Sequence, residues 1–180
     1  MAELKEKVYA QSLFDAAIEE NSLEETMKEM DMLDGIFKTT PAFLTLLSSP
    51  AVTDGEKQDM LRNTLSGRIE GILYNFMRIL ADKGRASLFP LIAKEFTAIY
   101  RAYHGILPVT AVTAVPMDQR QITRLGEKLS ASIGKKVLLE NKVDPTLIGG
   151  VLLRYDGHEI DGSVKDRLDN LRKALRGIVL

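Results

Sequence analysis

The sequence contains no cysteine and no tryptophan, only two histidines, and few aromatic residues of any kind. Without cysteine there is no disulfide, no thiolate metal site and no thiol nucleophile, a composition that fits a reducing compartment. His104 and His158 lie too far apart in the chain to suggest one shared site. No apolar run approaches the roughly 18 residues needed to span a bilayer. The longest candidate, Ile106 to Met117, is interrupted by threonine and proline. The opening "MAELKEK" lacks the apolar segment of a signal peptide, so a soluble chain is expected. A dominant charge is missing too: 24 Lys and Arg stand against 25 Asp and Glu, and no overall field calls for nucleic acid or an anionic membrane. The balance hides an asymmetry, because residues 1–105 carry 12 basic and 16 acidic side chains while residues 106–180 carry 12 and 9. Two units with different neighbours are expected. What the chain has in quantity is apolar side chains, 45% of 180 residues, enough for one good core or two small ones.

From Leu4 to Tyr103 the apolar period is helical. Punctuation divides this stretch into helices near 4–20, 22–38, 41–48, 54–65, 68–83 and 87–104. Ser22 with Glu25 and Thr53 with Glu56 have the spacing of capping boxes. Pro41 suits a first helical turn, Pro50 closes the short third helix, and Gly84 and Gly105 are placed as C-caps. The expectation is a six-helix bundle over residues 1–105. After Gly105 the period changes. "ILPVTAVTAV" is β-branched and alternating, residues 117–133 return to helical spacing, and "KVLLENKV" reads as a second strand. Residues 106–180 are therefore a small α+β domain of strand, helix, strand, hairpin and helix, and the fold class is mainly α.

The stretch "DPTLIGGVLLRYDGHEIDGSVKDRL", Asp144 to Leu168, poses the sharpest question about chemistry. Gly149 and Gly150 precede a strand, not a helix, so they do not form a phosphate cradle. Asp156, His158, Glu159 and Asp161 have metal-binding side chains, but alternation along a strand sends 158 and 159 to opposite faces. Asp156-Gly157 is instead the two-residue turn of a hairpin, and the glycine pair marks a bulge or a close approach. Ser163 then caps the last helix, with Val164, Leu168, Leu171 and Leu175 along one stripe. A small hydrolase built on the acids around His158 would need ligands on one face. A helical RNA-binding module would need a basic bundle, and this one is acidic.

Placed on a wheel, Ala16, Tyr9, Leu13, Ala17, Ala10, Phe14 and Ile18 of the first helix cover an apolar arc of roughly 200°. In the fifth helix, Ile79, Ile72, Phe76, Ile69, Leu80, Leu73, Met77, Ala81 and Tyr74 cover roughly 220°. Either both helices are central in the bundle, or their surplus apolar surface forms a groove for a third helix. The run from Glu19 to Asp34 holds seven acids against Lys28 alone, and the last helix is basic through Lys165, Arg167, Arg172, Lys173 and Arg176. Both read as solvated faces or as steering surfaces for charged partners.

"KVLLENKVDPTLIGGVLLRYDGHEIDGSVKDRLDNL", "YAQSLFDAA" and "ILADKGRASLFPLIAKEF" together resemble the delta subunit family of bacterial ATP synthase, counterpart of the mitochondrial oligomycin-sensitivity-conferring protein. The likeness extends over nearly the whole chain. It implies a non-enzymatic stator component without cofactor or metal, present as a monomer within the complex at the cytoplasmic face of the bacterial membrane, peripheral and not inserted. It also implies that the helical domain binds the N-terminal helix of an alpha subunit and the C-terminal domain binds the b subunits of the peripheral stalk. The groove residues so implied are Tyr9, Ala10, Leu13, Phe14, Ala17, Ile72, Asn75, Phe76 and Ile79. Gly149, Gly150, Asp156, Gly157 and Ser163 carry structural roles.

Overall fold

In the computed structural model, which describes residues 3–65, 67–69 and 71–168, the chain divides into two compact units, Met1–Arg101 and Ala102–Leu180. The described residues of the first unit form α1 (Glu3–Glu19), α2 (Leu23–Thr39), α3 (Pro41–Ser48), α4 (Asp54–Leu65), α5 (Gly71–Asp82) and α6 (Phe89–Tyr103), which runs just past the division. α3 and α4 begin and end where the sequence punctuation puts them. α5 starts three residues later than its periodicity suggests, because the amides of Arg68 and Ile69 both return to the Leu65 carbonyl in a turn. α6 starts two residues late, behind a short 3-10 turn (Ala86–Leu88). Pro90 supplies the reason: it has no amide to bond back to Ala86, so the α-helical ladder cannot begin earlier.

Thr53 and Glu56 close a capping box, with the Thr53 amide donating to Glu56 Oε2 at 2.9 Å. The Thr53 hydroxyl, and then its amide, hold the Glu56 carboxyl below its ordinary range. Ser22 and Glu25 do not form the expected box. The Ser22 amide is already bonded to the Ala17 carbonyl at 2.9 Å, in a turn that puts Asn21 at φ 53°. The donor that Glu25 would reach is used by the end of α1, and the Ser22 hydroxyl has no partner among the described residues. The core of this unit is built on Leu13, Met30, Leu33, Leu61, Leu73, Leu80 and Phe96, all buried. Edge-to-face pairs tie the helices: Phe14 with Phe96 at 5.9 Å and Phe37 with Phe89 at 5.0 Å.

The second unit is a mixed sheet of β1 (Ile106–Thr113), β2 (Lys136–Val143), β3 (Gly150–Tyr155) and β4 (His158–Ser163) in the order β2-β1-β3-β4. β1 and β2 are parallel and are joined by α7 (Gln119–Ile133), the crossover that parallel pairing requires. α7 opens on a capping box of Asp118 with Gln121 and closes on Gly134 at φ 73°. β3 runs antiparallel to both β1 and β4. Tyr155 pairs with His158 across a two-residue turn in which Asp156 and Gly157 have φ of 46° and 74°. After β4, residues 164–168 are helical, and the Asp166 amide donates to Ser163 Oγ at 3.2 Å. The expected stripe through Leu171 and Leu175, and the basic side chains from Arg172 onward, lie outside the described residues.

Leu107, Val109, Ala111 and Leu153 form the second core under Leu125 and Leu129 of α7. Asn141 pins its open end. Its Nδ2 donates to the Ala111 carbonyl at 2.9 Å and to Thr113 Oγ1 at 2.8 Å, and its Oδ1 accepts from the Met117 amide at 2.9 Å. One side chain thus holds the end of β1 and the loop that leads into α7.

Candidate functional site

Tyr9 of α1 packs edge-to-face on Phe76 of α5 at 6.1 Å, and its hydroxyl accepts a hydrogen bond from Arg85 Nη1 at 2.8 Å. Arg85 lies just beyond the end of α5. Gly84, left-handed at φ 62°, ends that helix, and the Arg85 amide returns to the Leu80 carbonyl at 2.7 Å. The turn therefore aims the guanidinium back across α1. At the other end, Glu20 after α1 and Ile72 at the start of α5 line one recess of about 310 Å³. The two helices run antiparallel.

Between them lie two rows at the same spacing. Tyr9, Ser12 and Ala16 follow one another along an edge of α1, and Ile72, Asn75 and Ile79 along an edge of α5. Tyr9, Ala16 and Ile72 are partly buried, Ser12 and Asn75 are exposed, and Ile79 keeps 46% of its surface in water. Burial of this kind, partial for apolar groups and open at the rim, suits a helix lying in a groove. The structure corrects the depth of the expected site. Ala10, Leu13, Phe14, Ala17 and Phe76 are core residues, Leu13 at 2% and Phe76 at 8% exposure, because neighbouring helices cover their side of α1 and α5. Of the nine residues of the expected groove, Tyr9, Ile72, Asn75 and Ile79 reach the surface.

Glu6 occupies the same buried stripe of α1 as Ala10 and Leu13. It is 4% exposed, and its Oε2 has no hydrogen-bond partner among the described residues. A buried carboxyl oxygen left without a donor opposes folding. Glu6→Leu is expected to raise stability by about 1 kcal/mol, read as a higher midpoint in thermal unfolding; a lowered midpoint would show that the carboxylate has a stabilising role.

The acidic segment is partly used inside the unit. Both carboxylate oxygens of Glu24 accept from the Tyr100 hydroxyl at 2.9 Å, which raises the Tyr100 pKa, and Asp34 pairs with Lys38 at 2.6 Å. Glu20, Glu25 and Glu29 line the recess beside the end of α1 and the start of α5. In the second unit the acids of the hairpin do not converge. Glu159 bonds Arg154 Nε at 2.7 Å and Asp161 accepts the Ser163 amide at 2.7 Å. Among the described residues no group of three His, Asp or Glu could hold a metal ion. Nor, among the same residues, is any helix long and apolar enough to cross a membrane.

Gly150 explains the glycine pair: it sits at φ 87°, and a Cβ there would meet the Gly162 carbonyl oxygen at 2.5 Å and the Ser163 Cα at 2.7 Å. Gly149 is looser, its nearest neighbour being a Val164 methyl at 3.4 Å. Sequence reading overlooked Arg85, whose only signal is its place after a C-cap glycine, and Asn141, the one uncharged polar residue within "KVLLENKV".

The ATP synthase delta (OSCP) subunit family model matches residues 6–175. ATP synthase subunit delta of Alkaliphilus oremlandii is 36% identical over 180 residues, covering the whole of both chains. Mitochondrial ATP synthase subunit 5 of Schizosaccharomyces pombe is 35% identical over 171 residues, with 93% of this chain and 79% of that protein covered. A chain in the mitochondrial ATP synthase hexamer of Toxoplasma gondii has the same fold, with a TM-score of 0.69 at 24% identity over 94% of this chain and 96% of that one.

Proposed function

Because the chain belongs to the ATP synthase delta (OSCP) subunit family, a non-catalytic structural subunit of the synthase, we propose that it is the stator link between catalytic head and peripheral stalk. The helical unit grips the N-terminal helix of an alpha subunit in the groove between α1 and α5. The α+β unit holds the end of the b chains. The link resists torque: while the rotor turns, the head stays fixed, so the subunit binds tightly and changes state little. No nucleotide or proton passes through it, and it sits peripherally at the cytoplasmic face of a bacterial membrane.

The observation that carries this reading is the pair of matched rows on α1 and α5, with Ile79 and Asn75 of α5 open to water and Tyr9 of α1 held by Arg85. An RNA-binding role is disfavoured by the excess of acids over bases in the helical unit. Titration of the full chain with a peptide of the alpha-subunit N-terminus, followed by calorimetry, tests the reading. Ile79→Asp is expected to leave the helical spectrum intact and weaken the peptide by about tenfold or more, since a carboxylate in an apolar contact has no partner. A folded variant that binds as the wild type does would remove Ile79 from the interface.

A further inference from the structure

As the crossover between β1 and β2, α7 packs chiefly on β2, and among the described residues the same sheet face is less covered toward β3 and β4. Beside it lies a cleft of about 590 Å³. Its walls are apolar: Val115 and Met117 from the loop before α7, Leu125 from α7, and Val151 from β3. Val115 is 69% exposed, and Ile160, which pairs with Leu153 in the adjoining strand, is 50% exposed. The floor is held open by structure already described, with Asn141 fixing the Met117 loop and Gly150 drawing β3 against β4.

The rim carries one sign of charge. Arg124 and Lys128 line the cleft, and Arg120, which lies with Glu127 at a neighbouring recess, continues their four-residue spacing along α7. None of the described residues lining the cleft is acidic. Arg120, Arg124 and Lys128 make no ion pair among the described residues. Successive cations four residues apart repeat every ~6 Å along the helix axis, and carboxylates at the same spacing on a second helix would meet them in step. An apolar trough with a one-sided row of cations at helical pitch is the complement of an amphipathic helix with acidic residues on one flank.

We infer that this cleft is the seat of an acidic amphipathic helix, its apolar residues over Val115, Met117, Leu125 and Val151 and its carboxylates on Arg120, Arg124 and Lys128. The inference rests on the proposal that the α+β unit holds the stalk, and it specifies the chemistry of the stalk segment that docks there. The cleft has room for several side chains of such a helix, while the helix itself lies along the rim beside α7.

Three probes are titrated into the full chain by calorimetry at low and high salt: the C-terminal segment of the b chain from the same synthase, a designed helix with leucines at i, i+3, i+4 and i+7 flanked by glutamates, and the same helix flanked by lysines. The b segment and the glutamate helix are expected to bind, more weakly as salt rises, and the lysine helix not to bind. Arg124→Glu with Lys128→Glu, and separately Val115→Asp, are surface changes that leave the fold intact by circular dichroism. Each is expected to weaken binding by about tenfold or more. Equal binding of the two designed helices, or failure of both, overturns the inference. Binding of the b segment that ignores both sets of substitutions keeps the stalk reading and removes the cleft. Binding of the glutamate helix at the cleft without the b segment keeps the cleft and removes the stalk reading.

Discussion

Gly150→Ala is expected to destabilise the α+β unit by about 3 kcal/mol or more, while Gly149→Ala costs no more than about 1 kcal/mol. Two independent causes act at Gly150. At φ 87° any side chain strains its own backbone, and the added methyl carbon would stand 2.5 Å from the Gly162 carbonyl oxygen. The obstacle is backbone on the neighbouring strand, so it cannot swing aside as a side chain would. Relief requires β3 and β4 to part at the Gly150–Ser163 pair, which loosens the strand end where Ser163 begins the following helix. Gly149 meets only a methyl group at 3.4 Å, and a valine rotamer change absorbs that. Thermal unfolding of the two variants side by side decides the matter; equal midpoints would show that neither strain nor contact at Gly150 is real.

Leu13→Asp is expected to unfold the helical unit, at a cost of roughly 4 kcal/mol or more. Leu13 is 2% exposed within a core that includes Leu33, Leu73 and Phe96, so the carboxylate would find neither water nor a donor. Leu13→Ala is milder, about 2 to 4 kcal/mol through the cavity it leaves. The contrast with Ile79→Asp separates two kinds of loss. One variant loses its helical circular dichroism and with it every interaction; the other keeps its fold and loses one partner. Were Leu13→Asp to stay folded at the wild-type midpoint, the placement of α1 in the bundle would be wrong.

Apolar periodicity made the elements of this chain legible. Helical spacing up to Tyr103, alternation in "ILPVTAVTAV" and "KVLLENKV", and the Thr53–Glu56 and Asp156-Gly157 signals each depend on residues a few places apart, and local chemistry decides them. Depth was not legible. A wheel shows that the apolar arc of α1 is wide, but whether Leu13 and Phe14 face a partner or Phe96 of α6 depends on which helices pack against that arc. The Ser22–Glu25 box failed for a related reason, since the end of α1 had taken the amide that Glu25 would reach. The basic row of α7 was present in the sequence at four-residue spacing. It gained meaning only when the sheet placed an apolar cleft beside it.

The strand order has a consequence for synthesis of the protein. β1 is one of the two inner strands and the first of the four to leave the ribosome, yet its two neighbours, β2 and β3, are both made after it. At ordinary elongation rates the nascent chain holds this apolar strand with an open edge for roughly 2 to 8 seconds before β3 emerges. Pro108 near its start removes one amide from the exposed ladder and so blunts the edge for part of its length. A message broken between β2 and β3 would yield chains in which β1 pairs with β2 on one side and keeps its other edge open to another molecule, and such fragments are targets for chaperones or proteolysis.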